Sequence, residues 1–257
     1  MMPLPTNIET YLARLDYTGS LEPSYETLRA LQTAHMYAVP FENLDIVPLH
    51  RPIRLDEASL WDKLVVHRRG GFCYELNGIY AWLLKHVGFD VTYLDARVFK
   101  RSGELGIDFD HLTLLAKTPG SETQWLTDVG FGDSFLEPLE LGEGEQAQGQ
   151  RAYRLERSAG GFISWQRDYD GTWERQYFFD LIPRRFPKDY EAGCSYHQKS
   201  PESSFTRHAV VSRATPDGRI TLEENKLITT RYGERTEQLV AAEDWRRLLS
   251  ERFGVVL

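Results

Sequence analysis

Cysteine is scarce in this sequence, with only Cys73 and Cys194 among 257 residues. Two cysteines cannot build a disulfide framework. A single bridge between them stays open, and free thiols in a reducing compartment are the expected state. The sequence also lacks the CxxC and HExxH spacings that are typical of zinc sites. Cys73 with His67 and one carboxylate is the metal alternative that remains open, and we predict no metal.

Long apolar runs and an excess of positive charge are missing as well. No run approaches the roughly 20 residues that cross a bilayer. The opening MMPLPTNIETYLARLDY mixes charged residues into its apolar positions, unlike a signal peptide. A net charge of −8 and a pI near 5.5 argue against a nucleic-acid partner, and Arg184, Arg185 and Lys188 are expected to form a solvated face. We predict a cytoplasmic protein with no nucleic-acid or membrane partner, and the sequence leaves the oligomeric state open.

What the chain has instead is a change of periodicity along its length. Before about residue 91, apolar side chains recur at helical spacing, as at Ile8, Leu12 and Leu15. The stretch CYELNGIYAWLLKHVGF is a further predicted helix, ended by Gly88. The first part of the chain is therefore predicted to be helical.

From about residue 91 the pattern changes to short β-rich stretches such as HLTLLAKT, TQWLTDVG and GFISWQRD, with turn residues between them. This spacing is typical of an antiparallel sandwich or barrel. The polar residues 142–151 are predicted to form a long exposed loop. After Pro187 the strand-like stretches HAVVSRAT and GRITLEENKLITTRYG precede a predicted terminal helix, AAEDWRRLLSERFG.

Cys73 follows Gly70 and Gly71 at the predicted start of a helix. A thiol is a good nucleophile only as its anion, and the N–H groups and dipole of a helix N-terminus favour that anion. The glycines would allow a tight turn and the close approach of a ligand. The local context therefore suits a nucleophile, and a buried structural cysteine is the alternative.

A base and an orienting carboxylate are available further along the chain. His111 begins the strand-like run DHLTLLA, and Asp128 ends the next one among apolar neighbours, where a carboxylate needs a partner. Adjacent antiparallel strands would bring the two together and give a Cys73–His111–Asp128 triad. The alternatives are a core histidine at 111 and a turn residue at 128.

The stretch RGGFCYELN, residues 69–77, contains the pattern R-G-G-x-C-x-E-x-N, and the chain here resembles the arylamine N-acetyltransferases. The resemblance extends in family order over about residues 35–205. Its other segments are VPFENLDI at 39–46, DHLTLL at 110–115, TDVGFGD at 127–133 and YHQKSPESSF at 196–205.

The resemblance implies an α+β fold with a cysteine-protease-like Cys-His-Asp core. Its parts would be an N-terminal helical bundle that carries the nucleophile (1–90), a central antiparallel β-barrel that carries the histidine and the aspartate (91–190), and a C-terminal α/β lid (191–257). It also implies acetyl transfer from the co-substrate acetyl-CoA to the amine of an arylamine, arylhydrazine or arylhydroxylamine. Cys73 would carry the acetyl group in a ping-pong reaction, His111 would act as the base and Asp128 would orient it.

The resemblance further implies a pocket for the acceptor and one for the pantetheine arm of coenzyme A. Gly132 and Asp110 are the predicted cofactor-binding residues, and the glycine would let the arm approach the backbone. A buried ion pair between Glu42 and Arg69 is expected to support the loop, and Glu75 and Asn77 are expected to brace it. The predicted substrate-binding residues are Phe41, Tyr74, Val98, Phe131 and Phe205.

Three other functions remain compatible with these residues. An amide synthase that closes a polyketide chain would use the same triad on another acceptor. A cysteine hydrolase would release the acyl group to water. In a non-catalytic module that binds coenzyme A or a partner, the triad residues would only pack.

Overall fold

The computed structural model describes residues 7–142 and 144–257. Two predictions reach beyond these ranges. Residues 1–6, which begin the N-terminal stretch that is unlike a signal peptide, and Glu143 of the predicted polar loop lie outside the described residues. No helix within the described ranges is long and apolar enough to cross a membrane.

The N-terminal part is helical, as predicted. Side-chain oxygens cap the first three helices, because Asn7, Ser24 and Asp56 each accept a hydrogen bond from a first-turn N–H. The last helix ends at Gly88, whose φ of 109° a side chain would disfavour. The helices are α1 (Ile8–Arg14), α2 (Tyr25–Ala38), α3 (Glu57–Trp61), which continues as a π-turn over Asp62–Val66, and α4 (Cys73–Val87).

Within the described residues, eight antiparallel strands form the central sheet, in the order β5-β4-β3-β2-β9-β8-β7-β6. With β1 (Phe41–Glu42) preceding them in the chain, the strands are β2 (Asp90–Val98), β3 (His111–Lys117), β4 (Gln124–Thr127), β5 (Leu139–Glu140), β6 (Glu145–Gln148), β7 (Arg151–Ser158), β8 (Gly161–Arg167) and β9 (Trp173–Phe179).

Side chains of β6 join the two edges of this sheet. The amide of Gln146 in β6 accepts a hydrogen bond from the N–H of Glu140 at 2.8 Å and donates one to its carbonyl at 3.0 Å. The side chain thus supplies the pairing that a neighbouring strand would give, and the sheet is nearly a closed barrel. The prediction of an exposed loop is wrong over Glu145–Gln148, because these polar residues pair with β7 at the rim.

In the C-terminal part, the strands predicted from HAVVSRAT and GRITLEENKLITTRYG are confirmed. Among the described residues they belong to a five-stranded sheet of order β1-β10-β11-β12-β13, in which β1 comes from the helical part. The predicted terminal helix is also present. The elements are α5 (Glu191–Lys199), β10 (Val210–Thr215), β11 (Gly218–Glu223), β12 (Lys226–Arg231), β13 (Glu234–Leu239) and α6 (Trp245–Leu248), which continues as a π-turn over Leu249–Phe253.

Strand β3 lies between the helical core and the barrel interior, and this position brings α4 to the barrel. Leu112 and Leu114 pack with the residues of α4, whereas Leu115 packs inside the barrel. Because both faces of β3 are covered, its residues from His111 to Ala116 are buried. The first residue of the strand, His111, lines the same cavity as the first residue of α4, Cys73.

Candidate active site

Cys73 occupies the first position of α4, and its side chain is almost completely buried. The two glycines before it are required by close packing. A Cβ on Gly70 would overlap the carbonyl oxygen of Pro40, and one on Gly71 would lie 2.7 Å from Oε2 of Glu75. The glycines therefore serve close packing at this position, and not the tight turn that the sequence predicted. Cys73 and Cys194 are both free thiols, as expected.

Glu75 holds the start of α4 in place. Its Oε2 accepts a hydrogen bond from the N–H of Phe72 at 3.2 Å, and its Oε1 lies 2.7 Å from Nζ of Lys63. The carboxylate therefore caps the first turn, which carries the thiol, and ties it to α3 and its π-turn.

The buried ion pair predicted between Glu42 and Arg69 is confirmed, with 2.7 Å between Oε1 and Nη2. It extends into a network, because Arg69 also contacts Asp45 at 3.2 Å and Asp45 contacts Lys63 at 2.7 Å. Together with Glu75, three carboxylates share two cations. Burial raises the pKa of the Glu75 carboxyl to about 7, and the nearby Lys63 opposes this rise only in part.

His111 and Asp128 meet as the strand pairing predicted. Strands β3 and β4 are antiparallel neighbours, and Nε2 of His111 lies 2.6 Å from Oδ2 of Asp128, with both side chains buried. Burial alone would raise the pKa of the Asp128 carboxyl, but the charge and hydrogen bond of His111 outweigh burial and hold this pKa below its ordinary value.

Asp128 is held by further donors whose role the sequence did not indicate. Its Oδ1 accepts hydrogen bonds from Nδ2 of Asn77 at 2.8 Å and from the N–H of Gly130 at 2.9 Å. The hydroxyl of Tyr177 donates to Oδ2 at 3.2 Å. Asn77 also donates to the carbonyl of Leu112 at 2.6 Å, so it connects α4 to β3 and to the end of β4.

Burial raises the pKa of the Cys73 thiol well above its ordinary value, and the charge of Asp128 raises it further, whereas the N–H of Leu112 donates to the sulfur and lowers it. An isolated thiolate is therefore unfavourable at this position. The anion needs a cation beside it, and since Nε2 of His111 is committed to Asp128, Nδ1 is the nitrogen that remains for the thiol.

Cys73 and His111 line one cavity of about 430 Å³. Four of the five predicted substrate-binding side chains line the same cavity, as does the predicted cofactor residue Asp110. Rings crowd its inner end, where the centroid of Phe131 lies 5.1 Å from that of His111. The predicted residues in the lining are Phe41, Val98, Phe131, Phe205 and Asp110.

Two predicted residues lie outside that lining. Tyr74 is fully buried behind the cysteine, because its hydroxyl donates to the carbonyl of Phe109 at 2.5 Å. Gly132 has a φ of 92°, in the left-handed region that favours glycine, and its carbonyl accepts a hydrogen bond from Arg219. Gly132 nevertheless lies beside the cavity, since a Cβ there would be 3.8 Å from the ring of Phe41.

Asp110 is engaged with its neighbours. Its Oδ2 accepts a hydrogen bond from the N–H of Val98 at 3.2 Å, and its Oδ1 lies 3.1 Å from Nε2 of His197. Sequence reasoning did not single out His197, although it lies within the segment 196–205 that carried part of the family resemblance. Among the described residues, no group of three His, Cys, Asp or Glu side chains is placed to hold a metal ion.

Comparison with known proteins gives these features a family context. A family model described as N-acetyltransferase matches residues 24–257. The arylamine N-acetyltransferase of Escherichia coli strain K12 is 33% identical over 250 residues, which cover 95% of this chain and 87% of the relative.

Solved structures that resemble this chain belong to the same family. The arylamine N-acetyltransferase of M. tuberculosis has a TM-score of 0.91 at 33% identity, with 97% of this chain and 93% of that chain covered. That of Mycobacterium marinum in complex with CoA has a TM-score of 0.90 at 30% identity, with the same coverage. The chain therefore belongs to the arylamine N-acetyltransferase family of acyltransferases.

Proposed function

We propose that this acyltransferase moves an acetyl group from acetyl-CoA to the amine nitrogen of an arylamine, arylhydrazine or arylhydroxylamine through an acetyl-Cys73 intermediate. One observation carries the proposal. The buried contact of 2.6 Å between His111 and Asp128 lies in the wall of the cavity that Cys73 also lines. A nucleophile, a base and an orienting carboxylate then share one site.

In the first half-reaction, the sulfur of Cys73 attacks the acetyl carbon of acetyl-CoA and its proton passes to His111. The C–S bond to coenzyme A breaks and the CoA thiolate leaves with a proton. One thioester replaces another, so the step is nearly balanced in energy. The protein has to supply the thiolate and stabilise the oxyanion, and the N–H groups at the start of α4 are the proposed donors.

In the second half-reaction, the amine nitrogen attacks the acetyl-Cys73 carbonyl. His111 removes the proton that the nitrogen loses, and the Cys73 sulfur leaves as its anion. Arylamines are weak bases, so the free amine is present at neutral pH. Asp128 keeps the hydrogen on Nε2 and stabilises the imidazolium that forms in each half-reaction.

The rings of the cavity suit a planar acceptor. Phe41, Phe131 and Phe205 provide apolar walls on which an aromatic amine packs, and they limit the access of water to the thioester. Gly132 and Asp110 stay the proposed neighbours of the pantetheine arm. The division into domains at residues 90 and 190 also remains a prediction.

The release of coenzyme A, measured with and without an aniline-type acceptor, tests the proposal. We expect a single burst of CoA equal to the enzyme without an amine, and steady turnover with acetanilide formation when an amine is added. Steady CoA release without an amine would favour a cysteine hydrolase. A burst that no simple arylamine can turn over would favour an amide synthase, and no release at all would favour a binding module.

A further inference from the structure

A second histidine–carboxylate pair lies in the wall of the cavity that Cys73 lines. Nε2 of His197 is 3.1 Å from Oδ1 of Asp110, and Nδ1 of the same ring is 3.0 Å from Oγ of Ser203. All three residues line the cavity. A hydroxyl, an imidazole and a carboxylate within hydrogen-bond distance in this order are the signature of an activated nucleophile.

The hydrogen bonds of His197 define which of its nitrogens is the base. Nε2 lies 3.1 Å from the main-chain carbonyl oxygen of Asp110 as well as 3.1 Å from its carboxylate. Both partners are acceptors, so Nε2 carries the hydrogen in the neutral ring. Nδ1 is then unprotonated and accepts the hydrogen bond that the hydroxyl of Ser203 donates.

The hydroxyl of Ser203 is fixed in a direction that suits attack. Its oxygen accepts the N–H of Phe205 at 3.3 Å, so the hydroxyl hydrogen is left to point at His197. A hydroxyl oxygen has two lone pairs, and one remains available on the cavity side. Ser203 is only 3% exposed but lines the cavity, through which both the ester and water would reach it.

The carboxylate of Asp110 is held in place by the surrounding backbone. Oδ2 of Asp110 accepts the N–H of Val98 at 3.2 Å. A Cβ on Gly106 would overlap the same oxygen, so the glycine leaves the room that the carboxylate occupies. Asp110 is therefore positioned on one side by β2 and presents its other oxygen to His197.

We propose that Ser203, activated by His197 and Asp110, is a second nucleophile, which hydrolyses small aryl esters independently of Cys73. Oγ forms a bond to the ester carbonyl carbon while its proton passes to Nδ1 of His197. The bond to the aryl oxygen breaks, and the leaving phenolate takes that proton. Water then cleaves the acyl-serine, with His197 accepting its proton and returning it to Oγ, so that ester and water give acid and phenol.

The substrate class follows from the walls of the cavity. Phe41, Phe131 and Phe205 offer apolar surfaces to an aryl group within a volume of about 430 Å³. A phenolate is a good leaving group, so a hydroxyl nucleophile can displace it from an aryl ester, whereas the exchange of one thioester for another at Cys73 is nearly balanced in energy. Within one cavity, Ser203 would therefore react with oxygen esters and Cys73 with thioesters.

The test uses the full-length Cys73→Ala variant, in which the thiol cannot contribute. We expect it to hydrolyse p-nitrophenyl acetate and to be labelled at Ser203 by a fluorophosphonate. Adding Ser203→Ala should lower the hydrolysis rate by roughly 100-fold or more and remove the label. Ser204→Ala is the matched control, because Ser204 also lines the cavity, and it should retain both.

His197→Gln keeps the hydroxyl of Ser203 while removing the base, so it reports on activation even where Ser203→Ala disturbs the turn. It should reduce labelling and hydrolysis together. Hydrolysis that is equal with and without Ser203, or a label on any other serine, would overturn the proposal. Loss of acetyl transfer from acetyl-CoA in Cys73→Ala reports on Cys73, His111 and Asp128, and it does not affect this test of Ser203.

Discussion

Nε2 of His111 lies 2.6 Å from Oδ2 of Asp128 at the point where β3 begins and β4 ends, and neither side chain reaches solvent appreciably. In a buried site this contact decides the state of the ring. In the proposed reaction, this contact leaves Nδ1 to exchange a proton with Cys73 and provides the negative charge that stabilises the imidazolium.

Replacing Asp128 by Asn tests that relationship. The amide carries no charge to stabilise the imidazolium, and it can hold the ring in the wrong tautomer. We expect the rate constant for acetylation by acetyl-CoA to fall on the order of 10³-fold, as measured by single-turnover release of CoA. Asp170→Asn, in an exposed turn, is the control. A rate within a few-fold of wild type would contradict the role of the carboxylate.

Asn77→Ala should cost both stability and activity. The change leaves the carbonyl of Leu112 and the N–H of Val129 without their Asn77 partner, and it removes one of the two hydrogen bonds to Oδ1 of Asp128. We expect the free energy of unfolding in urea to fall by about 2 to 4 kcal/mol. Asn225→Ala, in an exposed turn, should change it by less than about 0.5 kcal/mol. Equal effects of the two variants would show that the hydrogen bonds of Asn77 are dispensable.

Glu75→Gln should alter the pH dependence of stability. Burial raises the pKa of Glu75 from 4.5 to about 7 in the folded protein, so the folded state binds this proton more tightly than the unfolded chain. Ionisation then destabilises the fold as the pH rises from about 4.5 to about 7. Since Gln stays neutral, the unfolding free energy of the variant minus that of wild type should increase across this window, by up to about 3 kcal/mol.

Urea unfolding at a series of pH values measures this difference. Glu9→Gln, at an exposed position of α1, is the control. A flat difference for Glu75→Gln would mean that Lys63 keeps the carboxylate fully ionised at every pH.

Phe205→Ala should weaken binding of the acceptor amine more than it slows acetylation by the donor, acetyl-CoA. The ring lies with its centroid 6.0 Å from that of Phe41 and 5.9 Å from that of Phe72, at the wall of the cavity. Losing one aromatic contact of about 1.4 kcal/mol corresponds to a roughly tenfold rise in the KM for an arylamine. The single-turnover rate of acetylation should change much less. A larger effect on acetylation than on the KM of the amine would move Phe205 to the donor side.

The sequence predicts those parts of the fold whose signal is local. The helix that starts at Cys73 and the strands that carry His111 and Asp128 have strong apolar periodicity, and their pairing follows from their order along the chain. By contrast, β1 pairs Phe41 with Ser212 and Glu42 with Val211, across about 170 residues. A two-residue strand held by such a distant partner has no periodicity of its own to be recognised.

The candidate site also contains residues that the sequence predicts and residues that it does not. The residues proposed as nucleophile, base and orienting carboxylate stand out by residue type and motif. The donors to Asp128 do not, because Asn77 and Tyr177 reach it only through the packing of α4 and β9 on the barrel. His197 and Ser203 likewise look like ordinary polar residues in the sequence, because the contacts of His197 with Asp110 and with Ser203 appear only in the folded chain.

Intact-protein and peptide mass spectrometry after mixing with acetyl-CoA tests the central claim most directly. We predict one acetyl group per chain, located on the peptide that contains Cys73. It should be absent in Cys73→Ala, form far more slowly in His111→Ala, and disappear when an arylamine is added. An acetyl group on Cys194 or elsewhere, or full acetyl transfer by Cys73→Ala, would contradict the account.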